Sequence, residues 1–227
     1  MTCCEGWTSC NGFSLLLLLL AGVVLNAIPL IVNVIDEDVP FQNPISCYEW
    51  WLPGIIGAGL MAIPATTMSL SARKRGCCNN KTGMFLSSLT NALTIIGAAY
   101  CLTVSVQALM VGPLICNPQV NGTVNCQFSL KSLSDIDDDD SLDWFLSDSC
   151  ISSKAPGNST AGTTTNSWKP PNLDISSKEN KYRTIHFSVF LGLLLVGILE
   201  LLVALSQIVI GFLGCLCGVS KRRSRVV

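Results

Sequence analysis

A single acidic side chain lies in the middle of an apolar segment that is long enough to form a membrane-spanning helix. Glu200 occurs in LLLVGILELLVALSQ, residues 193–207, which contains no other charged residue. A charge at the centre of a bilayer costs at least about 2.5–3.5 kcal/mol, so Glu200 should face other helices. It could handle protons or ions, or it could hydrogen-bond between helices. Because the apolar segments contain no second acid and no base, hydrogen bonding is favoured, with four candidate polar partners: Asn26, Asn91, Gln107 and Gln207.

Residue patterns typical of other catalytic or ligand-binding sites are absent from the sequence. No nucleophile stands with an accompanying base, and no phosphate-binding loop occurs. An intramembrane protease would need a second acid or a histidine within the spans, whereas the single histidine, His186, lies outside them. The acidic run 137–140 lacks the spaced oxygen ligands of a calcium loop. We therefore predict a protein that is not an enzyme and that uses no cofactor or metal.

The elements that carry these residues are four apolar segments, each at or beyond the roughly 20 residues that cross a hydrocarbon core. The predicted spans are residues 13–35, 52–72, 84–115 and 187–216. They explain why the 227-residue chain is 49% hydrophobic and only 13% charged. The leucine run 15–20 resembles a signal-peptide core, but no Lys or Arg precedes it, so the first helix is predicted to be uncleaved. The sequence predicts an all-α polytopic membrane protein with a four-helix transmembrane bundle.

Lys and Arg are unevenly distributed between the connecting segments, and this predicts the orientation. Segments 73–83 and 217–227 are basic and contain no acid, so they and the N-terminal segment 1–12 are predicted to be cytosolic. The acidic short loop 36–51 and the large loop 116–186 are predicted to be luminal or extracellular. No base precedes the first helix, which makes its orientation the least well specified.

Three acceptor sequences for N-glycosylation bear on this orientation. Asn121 and Asn158 lie in the large loop and are predicted to be glycosylated. The stretch around Asn158 is rich in Ser, Thr, Pro and Gly, which is typical of a flexible or glycosylated insertion. Asn80 lies in the basic loop and would be used only if the topology were inverted.

Eleven of the twelve cysteines divide by predicted compartment, and the other, Cys101, lies within the third predicted span. Four belong to the luminal side and are predicted to form disulfides in any of three pairings, which the sequence does not distinguish: Cys47, Cys116, Cys126 and Cys150. Seven lie near the cytosolic ends of the spans. Because their adjacent pairs lack the spacing of a zinc site, S-palmitoylation is predicted for them: Cys3, Cys4, Cys10, Cys77, Cys78, Cys215 and Cys217.

Small residues predict where helices approach each other closely. Gly22 lies four residues before Asn26, so both share one face of the first helix. Pro64 is expected to kink the second span. The glycines predicted to pack helices are Gly22, Gly54, Gly57, Gly59, Gly211, Gly214 and Gly218.

Three stretches carry a resemblance to a known family: WWLPGIIGAGLMAIPA at 50–65, GPLIC at 112–116 and ILELLVALSQIVIGFLGCLCG at 198–218. With the loop sizes, they resemble the four-transmembrane L6 (L-six) family, which is tetraspanin-like. Glu200 and Cys116 match the family's acid in the fourth span and its cysteine after GPL. The large loop lacks the Cys-Cys-Gly motif of true tetraspanins, so their loop fold is not implied. The resemblance implies a non-catalytic protein that associates laterally with other membrane proteins.

We therefore expect an adaptor or organiser that regulates the trafficking, clustering or proteolytic processing of partner membrane proteins. Its expected partners are integral membrane proteins, membrane lipids and further copies of itself, and no nucleic acid. Two alternatives stand beside it: proton-coupled transport or ion handling at Glu200, and sensing of membrane composition through variable topology. Plasma membrane and endoplasmic reticulum both fit. The basic tail also matches an arginine-type retention signal, formed by Arg222, Arg223 and Arg225.

Overall fold

The computed structural model describes residues 3–37, 45–71, 81–114, 143–146 and 173–216. These residues are almost entirely helical, and no strand occurs among them. The α-helices are α1 (Cys3–Glu37), α2 (Ile63–Ser71), α3 (Lys81–Val111), α4 (Asp143–Leu146) and α5 (Leu173–Leu216). Between α1 and α2 the chain forms a 3-10 helix at Cys47–Trp51, a π-helix at Pro53–Gly59 and a 3-10 turn at Leu60–Ala62.

Four helical segments are long and apolar enough to cross a membrane: Ser9–Val32, Cys47–Ser71, Phe85–Val111 and Asn180–Phe212. This confirms the predicted all-α class with four membrane-spanning helices. α5 has 44 residues, or about 66 Å at the rise of an α-helix, so it extends well beyond a bilayer core of about 30 Å. Its start at Leu173 lies within the predicted large loop. Pro170 and Pro171 lie three and two residues before it, and no Pro or Gly interrupts residues 173–191.

The second span is built from several kinds of helix rather than one regular α-helix. Leu52 has a left-handed backbone with φ 43° and ψ 51°, and Pro53 then begins the π-helix. Pro64 lies at the second position of α2, where a missing backbone N–H breaks no helical hydrogen bond. The prolines and closely spaced glycines of residues 52–64 account for this irregular course.

The chain divides into two compact units. The first unit comprises Met1–Ala27, Leu52–Ser105 and Gly192–Val227, and the second comprises Ile28–Trp51 and Val106–Leu191.

In the first unit, the four spans pack in a closed ring in chain order. A Cβ built on Gly22 of α1 would lie 2.8 Å from Cβ of Ala58 in the second span. The second span meets α3 where a Cβ on Gly57 would lie 2.7 Å from the carbonyl oxygen of Gly97. The other two contacts are made by glycines of α5: Gly197 packs on Leu102 of α3, and Gly192 packs on Leu25 of α1. The first unit is therefore a four-helix bundle, and its core contains many small side chains.

Candidate functional site

The polar residues predicted to face the helix bundle are all buried: Asn26, Asn91, Gln107, Glu200 and Gln207. This agrees with the cost of placing polar groups against lipid. Asn26, Asn91, Glu200 and Gln207 belong to the first unit, and Gln107 belongs to the second. The described hydrogen bonds show what Asn26 and Asn91 do there.

Asn26 caps the beginning of the second span. Its Oδ1 accepts a hydrogen bond of 2.8 Å from the backbone N–H of Gly54. The first N–H groups of a helix have no partner within that helix, and inside a membrane water cannot supply one. Asn26 therefore satisfies a buried donor that the irregular start of the neighbouring helix leaves open.

Asn11 makes a second interhelical hydrogen bond that the sequence did not predict. Its Nδ2 donates to Oγ of Ser206 at 2.9 Å, and that hydroxyl donates to the carbonyl of Val203 at 2.8 Å. Asn11 falls in the segment 1–12 predicted to be cytosolic, but it is buried within α1. Together with the Asn26 bond, this contact ties α1 to two neighbouring spans.

One face of α3 carries a row of buried polar residues at the heptad-like positions 91, 94, 101 and 105. Asn91, Thr94, Cys101 and Ser105 are all fully buried. The donors of the first three are directed at backbone carbonyls. Nδ2 of Asn91 donates to Ser87 at 2.8 Å, and the Thr94 hydroxyl donates to Thr90 at 3.3 Å. The Cys101 thiol lies 3.7 Å from the carbonyl oxygen of Leu193 in α5.

Glu200 is 0% exposed, and neither of its carboxyl oxygens has a hydrogen-bond partner among the described residues. The expected bonds to Asn26 and Asn91 are not formed, because those amides are directed at Gly54 and Ser87. Cys101 is close enough to interact electrostatically with Glu200. Oδ1 of Asn91 and Oγ of Ser105 also lack partners. The interior of the first unit thus holds buried oxygen atoms that have no hydrogen-bond partner among the described residues.

Four of the predicted packing glycines lie where helices touch. Gly22, Gly54, Gly57 and Gly59 are buried, and a Cβ on any of them would meet atoms of a neighbouring helix within 3.1 Å. Gly211 is half-buried, the surroundings of Gly214 are not described, and Gly218 lies outside the described residues. Four glycines that the sequence analysis did not select also lie where a Cβ would come within 3.0 Å of a neighbouring helix: Gly12, Gly97, Gly192 and Gly197. Gly97 could have been found from its position facing the glycine-rich second span.

The second unit contains an aromatic cluster that anchors α4, a four-residue helix of the large loop. Nε1 of Trp144 donates a 2.8 Å hydrogen bond to the carbonyl of Leu109 near the end of α3. The Trp144 ring packs edge-on against His186, with 5.3 Å between ring centroids, and Phe145 stacks on Phe187 at 4.1 Å. The only sequence signal for this anchor is the pair of aromatic residues in an otherwise polar stretch.

Two further contacts hold the cluster in place. Gly112 has a positive φ of 76°, and a Cβ there would lie 2.7 Å from the Trp144 ring. Nη2 of Arg183 in α5 donates to the carbonyl of Phe145 at 2.7 Å, which satisfies a backbone acceptor of the short helix.

The buried Glu49 of the second unit accepts a hydrogen bond at Oε1 from the Ser46 N–H at 3.1 Å.

The predicted modification sites lie mostly outside the described residues. Cys10 is exposed on α1 as a free thiol, Cys101 is a buried free thiol, and Cys47 begins the 3-10 helix. Cys3 and Cys4 fall in α1 and Cys215 in α5, but their side chains are not described. Outside the described residues lie Cys77, Cys78, Cys116, Cys126, Cys150, Cys217, Asn80, Asn121, Asn158, Arg222, Arg223 and Arg225. Disulfides, glycans, palmitoylation and the retention signal stay predictions.

Within the described ranges, no group of three or more His, Cys, Asp or Glu residues is placed to hold a metal ion.

Comparison of the sequence with known proteins identifies a family and several relatives. Residues 2–221 match a family described as L6 membrane protein. Over the full length of both chains, the sequence is 68% identical to Transmembrane 4 L6 family member 20 of Bos taurus and 67% identical to the Homo sapiens protein of that name. Transmembrane 4 L6 family member 5 of Homo sapiens is 35% identical over 46% of this chain and 55% of its own length. No solved structure matches the chain.

Proposed function

The chain belongs to the L6 membrane protein family, and from this premise we propose that it is a non-catalytic adaptor or organiser of other membrane proteins. It associates laterally with partners and regulates their trafficking, clustering or proteolytic processing. Its multi-pass character is carried by four membrane-spanning helices. The lateral association rests on how polar and apolar side chains are sorted between the inside and the outside of the first unit.

The outward faces of the first unit at membrane depth are apolar, and this observation carries the proposal. Large exposed side chains recur along α5 at three- and four-residue steps, from Leu195 through Ile198, Leu202 and Leu205 to Val209. This spacing forms one continuous helix face. Equivalent exposed rows lie on α1, around Leu17 and Leu20 and Val24, and on α3, around Leu89 and Leu93 and Ile96.

The hydroxyl on the outer face of α2 is already satisfied by its own helix. Oγ1 of the exposed Thr67 donates to the carbonyl of Pro64 at 2.9 Å. The outer faces therefore offer shape and van der Waals contact rather than polar chemistry. Because lipid tails are as apolar as leucine, helices associate in membranes through close packing. These faces suit either lipid or the transmembrane helix of a partner.

Site-specific photo-crosslinking in native membranes separates these two occupants. A photoreactive residue replaces Val24, Ile96 or Leu202, one exposed position on each of three helices, and adducts are identified by mass spectrometry. We expect at least one face to give a discrete protein adduct that an excess of unlabelled protein competes away. The other faces should give lipid adducts.

Leu15 provides the matched control, since it is fully buried in α1. A photoreactive residue there should link only to the chain's own helices. Lipid adducts at all three exposed positions, in membranes that contain the natural partners, would contradict the proposed function. An adduct to a second copy of the chain would assign that face to self-association.

A further inference from the structure

We propose that the first unit holds internal water molecules along the polar face of α3, and that this water hydrates a proton-binding site at Glu200. The proposal goes beyond the organiser function and does not depend on it. It rests on the buried polar atoms without partners in the described interior, on their spacing along α3 and on the absence of basic residues from the spans of the first unit.

The described interior of the first unit holds several buried polar atoms without a partner. Both oxygens of Glu200, Oδ1 of Asn91 and Oγ of Ser105 are among them. The Thr94 hydroxyl and Nδ2 of Asn91 are directed instead at backbone carbonyls of α3. Buried polar atoms are rarely left unpaired, and internal water commonly supplies the missing bonds. Water both donates and accepts hydrogen bonds, so it can serve a carboxyl group, an amide oxygen and a hydroxyl alike.

The register of the helices places Glu200 beside this polar face. α3 and α5 run antiparallel, and a Cβ on Gly197 would lie 3.0 Å from Leu102 and 3.5 Å from the carbonyl of Ala98. Glu200 lies three residues further along α5, which brings it level with the Thr94 turn of α3. The side chains around it are small, with Gly197 and Ala204 on its own helix face. Glu200 therefore lies beside the same buried polar face of α3.

The spacing of the unpaired atoms favours several separate water molecules over a single bound cation. Asn91 and Ser105 are fourteen positions apart on α3, or about 21 Å along the helix. A metal ion needs its oxygen ligands within about 2.0–2.6 Å of one point, which these residues cannot provide. Separate water molecules, each bonded to one or two of these atoms, satisfy all of them.

No base is available to pair with an ionised Glu200. Residues 9–27, 52–71, 85–105 and 192–212, which make up the spans within the first unit, contain no Lys, Arg or His. Cys101 on α3 is the titratable group that interacts with Glu200 from a neighbouring helix. A lone buried charge is far more costly than a neutral acid. Glu200 is therefore protonated: its O–H donates a hydrogen bond to one water molecule, and its carbonyl oxygen accepts a hydrogen bond from another.

Infrared spectroscopy of the full-length protein in lipid nanodiscs tests the proposal, with D₂O as the probe. We expect the carbonyl stretching band of a protonated carboxylic acid, shifted to lower frequency after transfer to D₂O because the proton exchanges with internal water. Glu200→Gln should abolish the Glu200 component of this band and leave any component from Glu49. Glu200→Asp should move the band without removing it, and it provides the assignment if Glu200→Gln does not fold.

Two control variants sharpen the assignment. Glu49→Gln removes the other described buried carboxyl, which lies in the second unit, and should leave the Glu200 component of the band unchanged. Ser105→Ala removes one water-binding oxygen with little change in volume, and should slow deuterium exchange several-fold. A wild-type spectrum without the band would overturn the proposal, because Glu200 would then be ionised. A band that persists unshifted after hours in D₂O would overturn it equally, because the site would be dry.

Discussion

At the scale of single residues, Asn26 shows why a polar side chain is worth burying in a membrane helix. Its amide oxygen satisfies the Gly54 N–H across the helix interface. Asn91 is equally buried, but its amide nitrogen bonds to Ser87 in its own helix. The two asparagines therefore make different contributions to stability, although they look alike in the sequence.

We expect Asn26→Ala to lower the free energy of unfolding by about 1–3 kcal/mol, the cost of leaving a buried donor unsatisfied. Asn91→Ala is the matched control and should cost less, because it orphans no backbone group. Reversible unfolding in mixed micelles, followed by circular dichroism, measures both. Equal losses for the two variants would contradict the capping role of Asn26.

At the scale of elements, close approach between the second span and α1 depends on glycine. A Cβ on Gly54 would overlap the carbonyl oxygen of Gly22 and lie 2.7 Å from Leu193 of α5. A Cβ on Gly192 would meet only the flexible end of Leu25 at 3.0 Å. We expect Gly54→Ala to destabilise the bundle by about 1–3 kcal/mol or more, and Gly192→Ala to have a smaller effect. Thermal unfolding monitored by size-exclusion chromatography in mild detergent compares them, and similar midpoints would refute the contact.

The anchoring of α4 is a second property of elements. Trp144→Ala removes both the ring and the hydrogen bond to Leu109, whereas Trp144→Phe keeps much of the ring and loses only the N–H. We expect Trp144→Ala to release α4, with faster hydrogen exchange at residues 109–114 and 143–146. Trp144→Phe should change exchange less, because a single neutral hydrogen bond is worth about 0.5–1.5 kcal/mol net. Unchanged exchange in Trp144→Ala would show that α4 is held by other contacts.

The elements that the sequence predicted and those that it missed differ in physical origin. The four spans follow from local composition, since about 20 apolar residues suffice to predict each one. The burial of Glu200 and Asn26 follows from the cost of polar groups in lipid. By contrast, the π-helix at Pro53–Gly59 and the Asn11–Ser206 bond depend on which atoms a neighbouring helix presents. The position of Trp144 likewise requires the end of α3 to be placed beside α5.

At the scale of the whole molecule, the number of spans constrains the topology. Because the chain has four membrane-spanning helices, successive connecting segments must alternate between the two sides. The basic segments 73–83 and 217–227 are separated by two spans and so share a side. The short loop and the large loop share the other side. The positive charges favour the cytosol for the first pair.

This alternation gives a prediction about glycans. Asn121 and Asn158 lie in the large loop and Asn80 in the basic loop, so one molecule cannot carry glycans at both Asn80 and Asn121. We expect Asn121→Gln and Asn158→Gln each to remove one glycosidase-sensitive shift in mobility, and Asn80→Gln to have no effect. A fraction of molecules glycosylated at Asn80 alone would mean that the chain inserts in two orientations. Glycans on Asn80 and Asn121 of the same molecule would contradict the four-span topology, because a single span separates these two loops and therefore places them on opposite sides.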